Sequence, residues 1–281
     1  MRIYRFWKTR KLEIDGSTFY FKAGSNESEE HADSILDRKV EYCKEWIYGE
    51  PSNEKIAEMD ALFADRKEGM EYEVPICEEL LETVDEYNII TRNRYGAAVL
   101  NSENHTILDI DPLPCTIGQW FLSLFGKKRP EPKAEILAML DNLLAGSEFK
   151  GIGVRVYETA KGIRVILSVT LFPAYSYAAQ KVMYSFQVDK LYATLCAKQN
   201  CYRARLTPKP ARMNMKTALK FKFPYDNATA EDRKAWLAEY EKKSEDFATC
   251  HLIRKYGEDF MTSIIELHDK VCKVESKLPL A

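Results

Sequence analysis

The sequence predicts an α+β fold: a mixed β-sheet with helices packed on it, preceded by an N-terminal α+β part and followed by a helical C-terminal tail. Three observations predict it. Short runs rich in β-branched and aliphatic residues crowd the middle of the chain, as in "NIITRN", "AAVLN" and "HTILDID". Longer runs with helix-start and helix-stop residues flank them. Between residues 96 and 206 the order strand, strand, helix, strand, strand, helix, strand argues a sheet covered by helices.

Taken in order, "RIYRFW" alternates and reads as a strand. "KLEIDGSTFYFKA" reads as a hairpin turning at Asp15-Gly16, a dipeptide that tolerates the backbone a two-residue turn needs. "NESEEHADSILDRKVEYCKEWIYG" reads as a helix, with Asn26 or Ser28 as cap, acids in the first turns and Gly49 past its end. Residues 51–87 are acidic and read as helical in two pieces separated near Pro75. The three strand-like runs follow, spaced by the turn-like "NRYG" and "NSEN". "GKKRPEPK" is a loop and "AEILAMLDNLLAG" a helix closed by Gly146. "GVRVYETAKGIRVILSVTLF" gives two strands joined around Ala160-Lys161-Gly162, "AYSYAAQKVMYSF" a helix, and "YRARL" a strand stopped by Pro208. The tail from 229 to 275 reads as helical, with Trp236, Tyr240 and Phe247 spaced to face the rest of the fold. The expected division is an N-terminal part at 1–87, either separate from or integral to the core, a core at 88–228 and a helical region at 229–281.

At 281 residues and 46% hydrophobic content the chain is long and apolar enough to bury a core. No apolar run approaches the roughly 20 residues that span a bilayer, and "MRIYRFWKTRK" lacks the apolar stretch of a signal peptide. A cytoplasmic protein with no membrane partner is expected. The cysteines, at 43, 77, 115, 196, 201, 250 and 272, are odd in number and form no CxxC pair, which suits reduced thiols. Cys196, Cys201, Cys250 and His251 can be grouped on paper, but their spacing matches no structural zinc pattern.

Charge is unevenly spread. The stretch "CYRARLTPKPARMNMKTALKFKF", residues 201–223, carries Arg203, Arg205, Lys209, Arg212, Lys216, Lys220 and Lys222 and no acid, whereas the whole chain is net −2. Such a segment calls for an anion, either a ligand's phosphates or the chain's own surplus of carboxylates. "HTILDIDP" supplies candidates. Asp109 and Asp111 are two apart on a strand, so they share a face with Cα atoms about 6.6 Å apart, while Leu108 and Ile110 point to a core. Paired carboxylates suit a hard divalent cation. Without an ion they repel, so Asp109→Asn with Asp111→Asn is expected to stabilise the metal-free fold. At the "YETAKGIRVIL" turn, Gly162 would let backbone approach a phosphate, with Lys161 and Arg164 adding charge. Asp189, in "SFQVDKLY", is a third acid or a helix cap.

The order of these features resembles the archaeo-eukaryotic primase (primase-polymerase) superfamily. "LDID" matches the family's hDhD strand, "TAKGIRV" its second motif after a glycine turn, Asp189 its third acid, and "YRARLTPKPARMNMK" its basic stretch; the match covers residues 96–222. The resemblance implies a primase-like core with an RRM-like strand-helix order. It implies nucleotidyl transfer on a nucleoside triphosphate and single-stranded nucleic acid. In that reading Asp109, Asp111 and Asp189 are catalytic and hold Mg²⁺ or Mn²⁺, and Lys161, Arg164, Arg203, Arg205, Lys209 and Arg212 bind phosphate. One departure matters: Arg164 stands where the family has His, so phosphate binding survives and catalysis is in doubt. "MRIYRFW", "TRNRYGAAVLN" and "RARLTPKP" also resemble a bacterial protein family to which no activity attaches.

Three readings therefore stand side by side. The first is a metal-dependent nucleotidyltransferase. The second is a nucleotide or nucleic-acid binding module that has lost the chemistry, with Tyr202 or Phe221 stacking on bases. The third is a structural or interaction protein whose charges pair internally.

Overall fold

The computed structural model describes residues 1–62, 73–113 and 131–281. Its first element is the expected hairpin. Strand β1 (Phe6–Ile14) and β2 (Ser17–Ser25) pair antiparallel around Asp15 and Gly16, both at positive φ (48° and 77°), the geometry of a tight two-residue turn. Helix α1 (Glu29–Tyr48) follows, capped by Ser28, whose Oγ accepts from the His31 N–H. It buries Ala32, Leu36 and Val40, four residues apart, against the hairpin. Helix α2 (Asn53–Leu62) is the first of the two expected helical pieces. Residues 63–72 and 114–130, including Cys115 and most of the "GKKRPEPK" loop, lie outside the described residues.

Two four-stranded sheets form the centre. One has the order β3 (Glu79–Thr83), β4 (Asn88–Arg92), β5 (Ala98–Ser102), β9 (Tyr202–Arg205). The other has the order β10 (Cys250–Tyr256), β7 (Val154–Thr159), β8 (Ile163–Leu167), β6 (Ile107–Ile110). Every pairing among the named strands is antiparallel, so the fold is α+β but its sheets are not mixed. Helices α3 (Pro132–Leu144), α4 (Tyr177–Ser185) and α7 (Ser263–Cys272) contribute Ile136, Leu140, Met183, Ile264 and Ile265 to one core with Ile107, Val156 and Val165.

Helix α5 (Lys190–Gln199) joins the two sheets. It sends Tyr192 inward, where the hydroxyl lies 2.7 Å from the Ile107 carbonyl oxygen on β6 and 3.0 Å from that of Arg203 on β9. The same oxygen accepts from the Arg203 N–H. A phenol thus serves the facing edges of β6 and β9, where backbone groups need partners. Burial raises the Tyr192 pKa well above its ordinary value, so it stays protonated.

Two expectations change. The second acidic piece before residue 87 is a strand, β3, paired with β4. The tail is not continuously helical: α6 (Ala230–Ser244) and α7 flank β10, which adds to the edge of β7. Helix α5 begins at the cap that Asp189 offers. Strands β3 and β10 belong to the central sheets, so strand pairing runs across residues 87 and 229. As expected, Trp236 and Tyr240 are buried and Phe247 packs beside them.

Gly162 has a role other than phosphate approach. A Cβ there would stand 2.1 Å from the Ile110 carbonyl oxygen, so glycine permits the close crossing of the β7–β8 turn over the end of β6. Gly162→Ala is expected to cost about 1–3 kcal/mol through overpacking against rigid backbone. A fall in the urea midpoint checks it, and an unchanged midpoint would show that the turn can move aside.

Candidate functional site

Around the end of β6 lies a cavity of about 270 Å³ lined by Asp109, Asp111, Asp189, Lys161, Arg164, Arg205, Lys209 and Arg212. Residues from five places in the chain meet there. The β6–β8 register puts Asp109 opposite Arg164. Asp111 follows β6, and the β7–β8 turn carries Lys161 beside it. Asp189 is the N-cap of α5, its carboxylate accepting from the Tyr192 N–H at 2.9 Å, and its own N–H reaches the Asp109 carbonyl oxygen at 3.4 Å. Arg205 ends β9, and Lys209 and Arg212 belong to the basic segment after it.

That segment is held down by its own apolar residues. Met213, Met215 and Phe221 pack against Trp236 and Tyr240 of α6, whose rings stack at 5.1 Å. Trp236 Nε1 donates to the Lys216 carbonyl oxygen and Tyr240 Oη to that of Pro208. Lys216, Lys220 and Lys222 are left exposed to solvent. Phe221 and Tyr202 are both buried, so neither offers a face for base stacking.

Charge pairing divides the cavity. Arg164 is 1% exposed and forks onto Asp109, with Nε to Oδ1 at 2.8 Å and Nη2 to Oδ2 at 3.3 Å. Its Nη1 donates to the Arg205 carbonyl oxygen at 2.9 Å and faces His268 Nε2 at 3.1 Å. Asp109 is thus held by a cation rather than repelled by Asp111, and the expected gain from Asp109→Asn with Asp111→Asn reverses into a loss. Lys161 Nζ reaches Asp111 Oδ2 at 2.6 Å, but both side chains are well exposed and the pair contributes about 0–1 kcal/mol.

Arg203 lies outside the cavity. It is buried and donates to Glu78 (2.6 Å) and Gln199 (2.7 Å), so it stabilises the fold from within. Arg205 is the contrast. Among the described residues, its Nε and Nη1 of Arg212 are buried without a hydrogen-bond partner. Burial, then the charges of Arg212 and Arg164, bring the Arg205 pKa down to about 10. Burial also lowers that of Arg212. Lys209 sits 5.3 Å from the centre of the Tyr95 ring, a cation–π contact at the edge of this cluster.

The three carboxylates share the cavity without forming a compact ligand set. Among the described residues, the group of three donor atoms gathered within 4.8 Å of one another is Cys250, His268 and Cys272, all buried, which could hold a metal ion. The paper grouping of Cys196, Cys201, Cys250 and His251 does not form. His251 is bound through its ring to the Val274 and Leu278 carbonyl oxygens. The signal for the real cluster was the spacing of His268 and Cys272, four apart on one helix face, but Cys250 joins them only through the unexpected strand β10. No helix among the described residues is long and apolar enough to cross a membrane. In comparisons with known proteins, no family model, curated protein or solved structure matches this chain.

Proposed function

We propose that this cavity binds the phosphates of a nucleoside triphosphate or of a single-stranded nucleic acid, as a primase-like protein would. The observation that carries the reading is the pair of buried, unpartnered guanidinium nitrogens on Arg205 and Arg212. An orphaned buried donor costs about 1–3 kcal/mol, more when charged, and a phosphate oxygen relieves it with a charge-assisted bond. Lys209 adds a third positive charge at the same mouth, and exposed Lys161 can swing from Asp111 to a ligand.

A second reading, metal-dependent nucleotidyl transfer, is favoured by the three acids on the same cavity. The fit to Mg²⁺ or Mn²⁺ is incomplete. Asp111 and Asp189 offer hard oxygen donors, and Asp111 pairs with exposed Lys161, but Asp109 gives both oxygens to Arg164. The binding reading therefore leads.

The test is a titration of labelled oligonucleotide and of nucleoside triphosphate at several salt concentrations. Replacing Arg205, Lys209 and Arg212 together is expected to weaken binding at least about tenfold and to flatten the salt dependence, since fewer counterions are released. Wild-type protein with no affinity at low salt would end the proposal. Nucleotide incorporation that requires Mn²⁺ or Mg²⁺ and is lost in Asp111→Asn and Asp189→Asn would promote the second reading over the first.

A further inference from the structure

Behind Arg164, on the side away from the cavity acids, stands a buried group that phosphate binding does not use. Helix α7 presents His268 and Cys272, and Cys250 opens β10 beside them. All three are at most 1% exposed, and their donor atoms lie within 4.8 Å of one another. Two thiols and an imidazole form a soft donor set in a place without solvent.

The tautomer of His268 follows from its neighbours. Arg164 has no acceptor, so the 3.1 Å contact of its Nη1 with His268 Nε2 makes Nε2 the accepting nitrogen. The ring proton then sits on Nδ1, which donates to Asp269 Oδ1 at 2.8 Å. Asp269 is held in turn by buried Arg155 at 3.1 Å. A carboxylate fixing the far nitrogen of an imidazole, so that its lone pair points at a chosen place, is the outer support that metal-binding histidines have. Here Nε2 lies 4.0 Å from Cys250 Sγ, with Arg164 Nη1 on its lone pair.

We propose that Cys250, His268 and Cys272 bind one soft divalent transition-metal ion, zinc by ligand chemistry, and that the ion takes the His268 lone pair from Arg164. Thiolate and imidazole together select zinc over magnesium or calcium. Bonds of about 2.3 Å to sulfur and 2.0 Å to nitrogen bring tetrahedral ligands to about 3.5 Å apart, so the group closes by roughly an ångström. Each thiol gives up its proton to solvent, two protons leaving as the ion enters. The resulting ion–dithiolate unit is neutral, which keeps the buried Arg164–Asp109 pair balanced. Three protein ligands leave one tetrahedral position, and the Arg205 carbonyl oxygen is 3.8 Å from Cys272 Sγ.

The ion would tie β10 to α7, and Arg164 Nη1, now 3.1 Å from His268 Nε2, would have to move aside while Nε and Nη2 keep Asp109. The site thereby sets the orientation of the guanidinium at the base of the cavity. Because the group is buried, the ion enters during folding and is lost on unfolding. None of this depends on what the cavity binds.

The test refolds the full chain from the reduced, denatured state with and without Zn²⁺, then removes free metal. The expected result is about one zinc ion per chain by elemental analysis, a higher melting temperature for the zinc-refolded sample, and after Co²⁺ refolding the thiolate charge-transfer and tetrahedral ligand-field bands of cobalt. Cys272→Ser and His268→Asn should each lower metal content more than about tenfold. Wild-type measurements decide the matter if these variants fail to fold. Folded wild-type protein that retains less than about a tenth of an ion per chain, with no melting shift, overturns the proposal. So does a Cys250–Cys272 disulfide whose reduction restores no metal uptake.

Discussion

Arg164→Ala will cost this fold about 3–5 kcal/mol, the range for removing one partner of a buried ion pair, seen as a lower urea midpoint at unchanged slope. The size follows from what the guanidinium holds. It is almost wholly buried, it forks onto Asp109, and it donates to the Arg205 carbonyl oxygen. Alanine leaves that carbonyl with only the weak Cys272 thiol contact at 3.8 Å, opens a cavity the size of a guanidinium, and strands a carboxylate beside it. Asp109 is 35% exposed, so water recovers part of its solvation. The larger share of the loss comes from the carbonyl and the cavity. Arg164→Lys should recover little, because one ammonium cannot reproduce the fork. Asp109→Asn should also destabilise, and the double variant should fall short of the sum of the singles by about 1–3 kcal/mol because the two residues share one interaction. A loss below about 1 kcal/mol for Arg164→Ala would mean that the pair is solvated and does not anchor the site.

Arg205→Met will move stability the other way, raising it by about 1–3 kcal/mol in the ligand-free protein. Arg205 is a half-buried cation whose buried Nε has no partner, and Arg212 and Arg164 beside it outweigh Asp109. Its pKa in the fold, about 10, lies below that of an ordinary arginine, so the fold disfavours the charged form. For a base depressed in this way the penalty is fully present below the folded pKa and is relieved as pH rises above about 10. At neutral pH the whole penalty stands, and an apolar side chain of similar length removes it. Arg203→Met, two positions earlier on the same strand, must do the opposite and cost about 2–4 kcal/mol, because it strands Glu78 and Gln199. Chemical denaturation of the two variants checks both signs at once. The trade that keeps an unfavourable cation is typical of binding sites, where stability yields to function. If both variants destabilise equally, Arg205 is a structural residue and the phosphate reading loses its main support.

Much of the fold is legible locally. Asp15-Gly16 announces the first hairpin, Ser28 the first helix, and Ala160-Lys161-Gly162 the β7–β8 turn, because turn and cap geometry depend on a few adjacent residues. The runs "NIITR" and "IRVIL" become inner strands because β-branched side chains fill two buried faces. Two strands are not legible, and they share a cause. Both β3 and β10 are edges, both carry charges, and both are broken by a register shift, after Leu80 in one and Leu252 in the other. A bulge destroys the alternation by which a strand is recognised, and an edge strand has only one neighbour to pack on. Their state is fixed by the hydrogen bonds that β4 and β7 offer, which local sequence does not contain.

The candidate site divides along the same line. Residue order and spacing alone put Asp109 and Asp111 at one strand end, a basic segment after Asp189, and Arg164 on the strand after a glycine turn. The pairing of these charges depends on how distant segments dock. Arg203 and Arg205 read alike, yet one is paired with Glu78 and the other, crowded by Arg212 and Arg164, keeps a buried nitrogen without a hydrogen-bond partner. His268 and Cys272 acquire Cys250 because β10 docks on β7. Residue type and spacing determine what a side chain can bind. Its partner is set by contacts between segments far apart in the chain, and for a buried charge that partner decides whether it supports the fold or waits for a ligand.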